Sequence, residues 1–196
     1  MSYSIEQLFS TPVYVTQVDK FDSIQQEITT AMESINFEMN PSWGQTHYLS
    51  DPTFEESLFT TYKFPIFKNE IDRNLRIYAK SLNFEVKKYI YHSSWIALFE
   101  KGNYGHIHNH GHSDISGVYY YSRAEEDGHI FFESPVDAAS SSLPYFGGNI
   151  TIPGTTGTLL LFPGWLRHGI RPNKTDIPRV SLSFDIVFDR LAYSKR

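Results

Sequence analysis

Apolar residues recur along this chain with two different periods. In the first 85 residues they return every three or four positions. Over residues 22 to 36, Ile24, Ile28, Ala31, Met32 and Ile35 form one stripe, which predicts an amphipathic helix. Asp22 is its expected N-cap, with Gln25 three residues on as in a capping box. The spacing of Phe67, Ile71, Leu75, Tyr78 and Leu82 predicts a second helix over 66 to 82. Asp51-Pro52 reads as a further helix start, because proline lacks only an N–H that the first helical turn leaves unused. A short apolar strand, Pro12 to Val18, precedes them.

From Val86 the period changes to two. VKKYIYHSSWIALFE, SGVYYYS, HIFFES, NITIP, GTLLLF, WLRHGI and RVSLSFDIVF read as short strands separated by Gly, Pro, Asn and Asp, about eight strands in all. In the last one, Val180, Leu182, Phe184, Ile186 and Phe188 alternate with Arg179, Ser181, Ser183, Asp185 and Val187. One face is apolar and the other carries a cation and hydroxyls. The pattern predicts a mainly β protein with N-terminal helices (α+β), a sandwich or jelly roll with the helices of residues 1–85 packed on the sheet of residues 86–196. A long connection rich in small residues, Ser134 to Asn149, reads equally as a mobile lip over a site or as plain disorder.

The 196 residues are enough for a single domain with a core of its own. The 15 Phe, 13 Tyr and 3 Trp suit aromatic-rich strands. Cysteine is absent, which excludes disulfides, thiolate metal sites and cysteine nucleophiles. No apolar run is long enough to span a membrane, and the start of the chain lacks the pattern of a secretory signal. A cytoplasmic location is expected. The net charge of −5, with dispersed basic residues, argues against nonspecific nucleic-acid binding.

Three constellations carry candidate chemistry. Four of the eight histidines alternate within seven residues, at His106, His108, His110 and His112. An extended segment would aim all four imidazoles one way, and imidazole is the commonest ligand for a divalent transition metal. One ion rarely takes four ligands from seven residues, so one or two ligands with neighbours is preferred over a full set; a merely solvated polar loop stays open. The second constellation is His168, which follows the apolar run GTLLLFPGWL and becomes a credible third ligand beside a His-x-His. The third is Arg179 with Ser181 on the final strand. A guanidinium fork and a hydroxyl suit a carboxylate, although the same face would also serve as an ordinary solvent face.

Taken in order, Gly-x-Tyr, His-x-His, an aromatic strand, a distal His and Arg-x-Ser resemble the Fe(II)/2-oxoglutarate-dependent oxygenases. The chain is similar in particular to short, prolyl-hydroxylase-like members found in bacteria and phages. The matching segments are LFSTPVY at Leu8, GNYGHIH at Gly102, HNHGHSDISGVYYY at His108, GTLLLFPGWLRH at Gly157 and RVSLSF at Arg179. The resemblance implies a double-stranded β-helix, the cupin-like variant of the jelly roll. It implies Fe(II) held by His108, His110 and His168. It also implies 2-oxoglutarate bound by Arg179, Ser181 and Tyr120, with O2 as the oxidant. Hydroxylation of a C–H bond in a protein or peptide residue such as proline, or in an amino-acid-like substrate, would release succinate and CO2. The expected location is the cytoplasm, that of the host where a phage encodes the chain.

The sequence departs from the wider superfamily at one ligand. The usual motif is His-x-Asp or His-x-Glu, and here the registered position is His110. The literal His112-Ser113-Asp114 is disfavoured, because it leaves too little chain before Tyr120, and Asp185 is a second source of a carboxylate. A three-histidine cupin-type enzyme that uses no 2-oxoglutarate, and a non-catalytic jelly-roll binding module, are the alternatives. Trp95, Tyr104, Tyr119, Trp165 and the 134–149 loop are candidates to shape a pocket.

Overall fold

The computed structural model describes residues 10–39, 41, 44–50, 57–135 and 148–190. Asp51-Pro52, the first residues of LFSTPVY and most of the 134–149 connection lie outside the described residues. The chain opens with β1 (Tyr14–Gln17), α1 (Phe21–Met32), β2 (Glu38–Met39), β3 (Tyr48–Leu49), α2 (Leu58–Thr61) and α3 (Pro65–Ser81). Eight strands follow: β4 (Tyr89–Phe99), β5 (Gly105–His108), β6 (Ile115–Ser122), β7 (Ile130–Glu133), β8 (Asn149–Ile152), β9 (Thr158–Pro163), β10 (His168–Ile170) and β11 (Arg179–Phe188). They form a seven-stranded sheet in the order β1-β9-β6-β11-β4-β3-β2 and a four-stranded sheet in the order β5-β10-β7-β8. Every pairing is antiparallel.

Period-two alternation sorts the larger sheet's side chains between two cores. Tyr119, Leu159, Leu161, Leu182, Phe184 and Ile186 pack with Ile24 and Ile28 of α1 and Phe67, Ile71 and Leu75 of α3. Their neighbours Val118, Tyr120, Leu160 and Phe162 point the other way and pack with Ile130 and Phe132 of the smaller sheet. Strands covered on both faces read as continuous apolar runs, which is why β9 is Leu-Leu-Leu-Phe. Phe67, Ile71 and Leu75 are fully buried, and each such side chain contributes roughly 1.5–3 kcal/mol. Gly117 of β6 lies against the Phe184 ring, where a Cβ would approach to 2.2 Å.

The helix ends differ from the expected ones. Asp22 is not the N-cap of α1. Lys20 holds that position without a side-chain cap, and Asp22 sits in the first turn, where its charge still favours the helix dipole. The helix stops at Met32, and Ile35 reaches the core from the segment beyond it. Pro65 starts α3, and the Glu27 carboxylate of α1 accepts from the N–H groups of Ile66 and Phe67 at 2.9 Å each. One helix thus caps the next. Among the described residues no helix is long and apolar enough to cross a membrane.

β4 carries an irregularity that decides which residues reach the space between the sheets. Asp185 pairs with Ser93, but Ile186 pairs with Tyr91, so His92 is an extra residue. The bulge puts Tyr91 and Ser93 on opposite faces although they are two apart. Tyr91 packs with the helices, whereas Ser93, Trp95, Ala97 and Phe99 face the smaller sheet and its cavity.

Candidate active site

The cavity between the sheets has a volume of about 460 Å³, within the range of small-molecule sites. Its floor is the polar face of β11, with Arg179, Ser181, Ser183 and Asp185; its far wall carries His108, His110 and His168.

Strand pairing brings the histidines together. His108 ends β5 and lies opposite His168 on β10, which also pairs with Phe132 of β7. His110 lies past the end of β5 and is positioned by its turn. Its N–H donates to the Gly164 carbonyl at 2.7 Å, and the Gly164 N–H donates to the Asp114 carbonyl at 3.1 Å. The two turns touch only because residue 164 is glycine, since a Cβ there would sit 2.3 Å from the Ser113 carbonyl oxygen. The ring centroids lie 5.1 Å apart for His108–His110, 4.5 Å for His108–His168 and 5.2 Å for His110–His168. One nitrogen from each falls within 4.8 Å of the other two.

Each of these rings has its Nδ1 engaged. His108 Nδ1 contacts the His106 carbonyl at 2.7 Å, His168 Nδ1 the Leu166 carbonyl at 2.9 Å, and His110 Nδ1 the Asp185 carboxylate at 3.0 Å. These acceptors require Nδ1–H, which assigns the lone pair of each ring to Nε2. Burial lowers the His108 pKa to about 4, with His110 adding to the effect, and holds His168 well below its ordinary value. Neutral imidazoles with fixed tautomers are the form that coordinates a metal. The donor set therefore fits a divalent transition ion.

His106 and His112 are exposed and outside this group; His106 packs edge-on to Tyr104. The expectation that all four histidines aim one way fails because β5 ends at His108. Asp114 accepts from the Phe188 N–H at 2.8 Å and pairs with Arg190, so it faces away from the histidines.

Arg179 anchors the other end. It is fully buried, its guanidinium 5.0 Å from the Phe99 ring centroid and 5.1 Å from that of Tyr120. Among the described residues none of its three guanidinium nitrogens has a hydrogen-bond partner. Burial lowers its pKa, yet guanidinium stays charged. A buried, unanswered cation is costly, and a carboxylate entering the cavity would answer it. Ser181 is buried on the same face, two residues along. Tyr120 is beside Arg179 but is not among the residues that line the cavity; the Arg123 guanidinium also lies over its ring, at 4.5 Å.

Sequence reasoning missed His47. It lines the cavity, stacks on Phe99 at 4.6 Å, and has its pKa lowered to about 4 by burial and by His108 and Arg179. It lies far from every motif in the chain, so only folding reveals it. Of the aromatic candidates, Trp95 lines the cavity and stacks on His110 at 5.6 Å. Tyr119 belongs to the helix-side core, Tyr104 is exposed, and Trp165 borders a separate, smaller hollow with Glu133 and Arg167.

Residues 93–185 match the family model described as "Putative 2OG-Fe(II) oxygenase". No curated protein matches the chain by sequence. Similar solved structures include a Pseudomonas putida prolyl-4-hydroxylase, 14% identical with a TM-score of 0.59, covering 93% of this chain and 95% of that one. HygX from Streptomyces hygroscopicus, crystallised with nickel, 2-oxoglutarate and hygromycin B bound, is 12% identical with a TM-score of 0.60, covering 90% and 82%. A 2OG-Fe(II) oxygenase-family oxidoreductase from Burkholderia pseudomallei is 12% identical with a TM-score of 0.58, covering 88% and 83%. The fold is the double-stranded β-helix of these proteins. The matched stretch contains His108, His110, His168 and Arg179.

Proposed function

We propose that His108, His110 and His168 hold the iron, and that Arg179 and Ser181 bind the far carboxylate of 2-oxoglutarate. The observation that carries this reading is the pairing of an Nδ1-anchored histidine cluster with an unanswered buried guanidinium in one cavity. The bound iron, with 2-oxoglutarate and O2, supplies the oxidising chemistry by which a substrate C–H becomes C–OH while succinate and CO2 are released. The chain's own residues bind and orient. Arg179 offers a two-point fork, Ser181 adds a hydroxyl donor, and Tyr120 backs the guanidinium from beside the cavity. Trp95 and Phe162 supply apolar wall that keeps water from the reacting groups. The three Nδ1 hydrogen bonds hold the imidazoles in one tautomer throughout.

The substrate class we propose is a protein or peptide residue, with proline the first candidate, or an amino-acid-like molecule. Similarity along nearly the whole length of a prolyl-4-hydroxylase supports this class; HygX, another similar protein, was crystallised with hygromycin B. The cupin-type alternative without 2-oxoglutarate gives Arg179 no role. Anaerobic addition of Fe(II) and 2-oxoglutarate is expected to produce a metal-to-ligand charge-transfer band; its absence would overturn the site assignment. Succinate formation across proline peptides, free amino acids and small molecules, with uncoupled turnover as background, tests the substrate class. Stimulation by small molecules alone would overturn it.

A further inference from the structure

We infer that Asp185 is a positioning residue for the metal, acting through His110 and supplying from behind that ring the carboxylate that the superfamily's usual motif places on the ion. The inference rests on the histidine assignment above.

Asp185 sits on β11 in register with Ser93 of β4 and Ser116 of β6, so all three side chains share the cavity face. The carboxylate is buried and fully engaged. Oδ1 accepts from the Ser116 hydroxyl at 2.6 Å, and Oδ2 accepts from the Ser93 hydroxyl at 2.9 Å and from His110 Nδ1 at 3.0 Å. Turning toward the metal position would break these bonds. Asp185 is therefore an acceptor for a ligand ring and is not itself a ligand.

The three histidines differ in what stands behind them. His108 and His168 lean on neutral backbone carbonyls, whereas His110 leans on a carboxylate. A charged acceptor makes the stronger hydrogen bond and a more basic imidazole. It also returns a negative charge to a site whose three ligands carry none. His110 needs this support most. It lies outside β5, and its ring is held by the Asp185 bond on its edge and by Trp95, which stacks at 13° to it.

Asp185→Asn keeps the shape and an acceptor but removes the charge. The apo protein, its His→Ala variants and D185N are titrated anaerobically with Fe(II), and separately with Co(II) to record the ligand-field bands. D185N is expected to bind both ions about 10–100-fold more weakly, with shifted Co(II) bands and an apo thermal midpoint close to wild type. Ser116→Ala, which removes one anchor of the carboxylate, is expected to lose less affinity, and it decides the matter if D185N fails to fold. Wild-type affinity and an unshifted Co(II) spectrum would overturn the inference, as would a lowered thermal midpoint alone. If D185N matches wild type while His108→Ala and His168→Ala lose the ion, only this inference falls. If wild type binds neither ion, the histidine assignment falls and takes the inference with it.

Discussion

The two ends of the cavity are built on opposite terms. At the histidine end the protein answers its own polar groups, since Nδ1 of each ring meets a carbonyl or carboxylate within 3.0 Å. At the Arg179 end a full charge is buried with its three nitrogens unanswered among the described residues. The first end is finished in advance, because a metal needs ligands already oriented and neutral. The second is left open, as the proposed binding of a 2-oxoglutarate carboxylate requires. A site preorganised at one end and electrostatically unfilled at the other would bind its two proposed components by different physics.

The largest effect is expected at the finished end. His168→Ala should abolish turnover and Fe(II) binding, exceeding the roughly 10–100-fold cost of losing only a hydrogen bond behind a ligand. Retained Fe(II) affinity in a titration would break the contrast.

Arg179→Met tests the open end. Losing one side of a buried charge pair costs roughly 2–5 kcal/mol, so the KM for 2-oxoglutarate should rise about 30-fold or more. The apo variant should nevertheless melt no lower than wild type, because an unpaired buried cation has been removed. 2-Oxoglutarate should raise the wild-type melting midpoint and leave that of the variant unchanged. A variant that still responds would show that the guanidinium is not the anchor.

Acid sharpens the comparison further. His47 and His108 have pKa values of about 4 when folded, against 6.5 for a solvated histidine. Between those values the unfolded chain takes up protons that the folded chain refuses. Apo stability should therefore be flat above about pH 6.5 and fall as the pH drops toward about 4. Urea midpoints across this window check the sign. A midpoint unchanged from pH 7 to pH 5 would contradict the burial of these rings.

The smallest effect is expected at Asp114. Asp114→Asn should leave Fe(II) affinity unchanged and cost about 1 kcal/mol or less, through the exposed Arg190 pair. A loss of metal binding would restore the literal His-x-Asp reading.

Much of the fold is legible in the sequence because both periods are strong. The α3 stripe and the alternation of β11 are each set by one dominant requirement, a single buried face. The helix ends of α1 were less legible, because the stripe extends to Ile35 although the helix ends at Met32. His108 and His168 could be named from their order in the chain, whereas the alternation by itself does not say which histidines of the run share a face. A strand's reach depends on its partner, and β5 has one only as far as His108. Periodicity alone would also put Tyr91 beside Ser93; the bulge at His92 puts them on opposite faces.

By itself the sequence determined the composition of the site: imidazoles without thiols, one arginine on an alternating strand, and the order in which they follow. Residue types and spacing are local properties, and they survive without knowledge of packing. The tertiary structure decided which groups meet. It placed His47 in the cavity, turned Asp114 away, set Asp185 behind His110, and left the Arg179 nitrogens without a hydrogen-bond partner among the described residues. Those outcomes depend on strand register and on which turns touch, and both are settled by contacts between residues as far apart as His110 and Asp185.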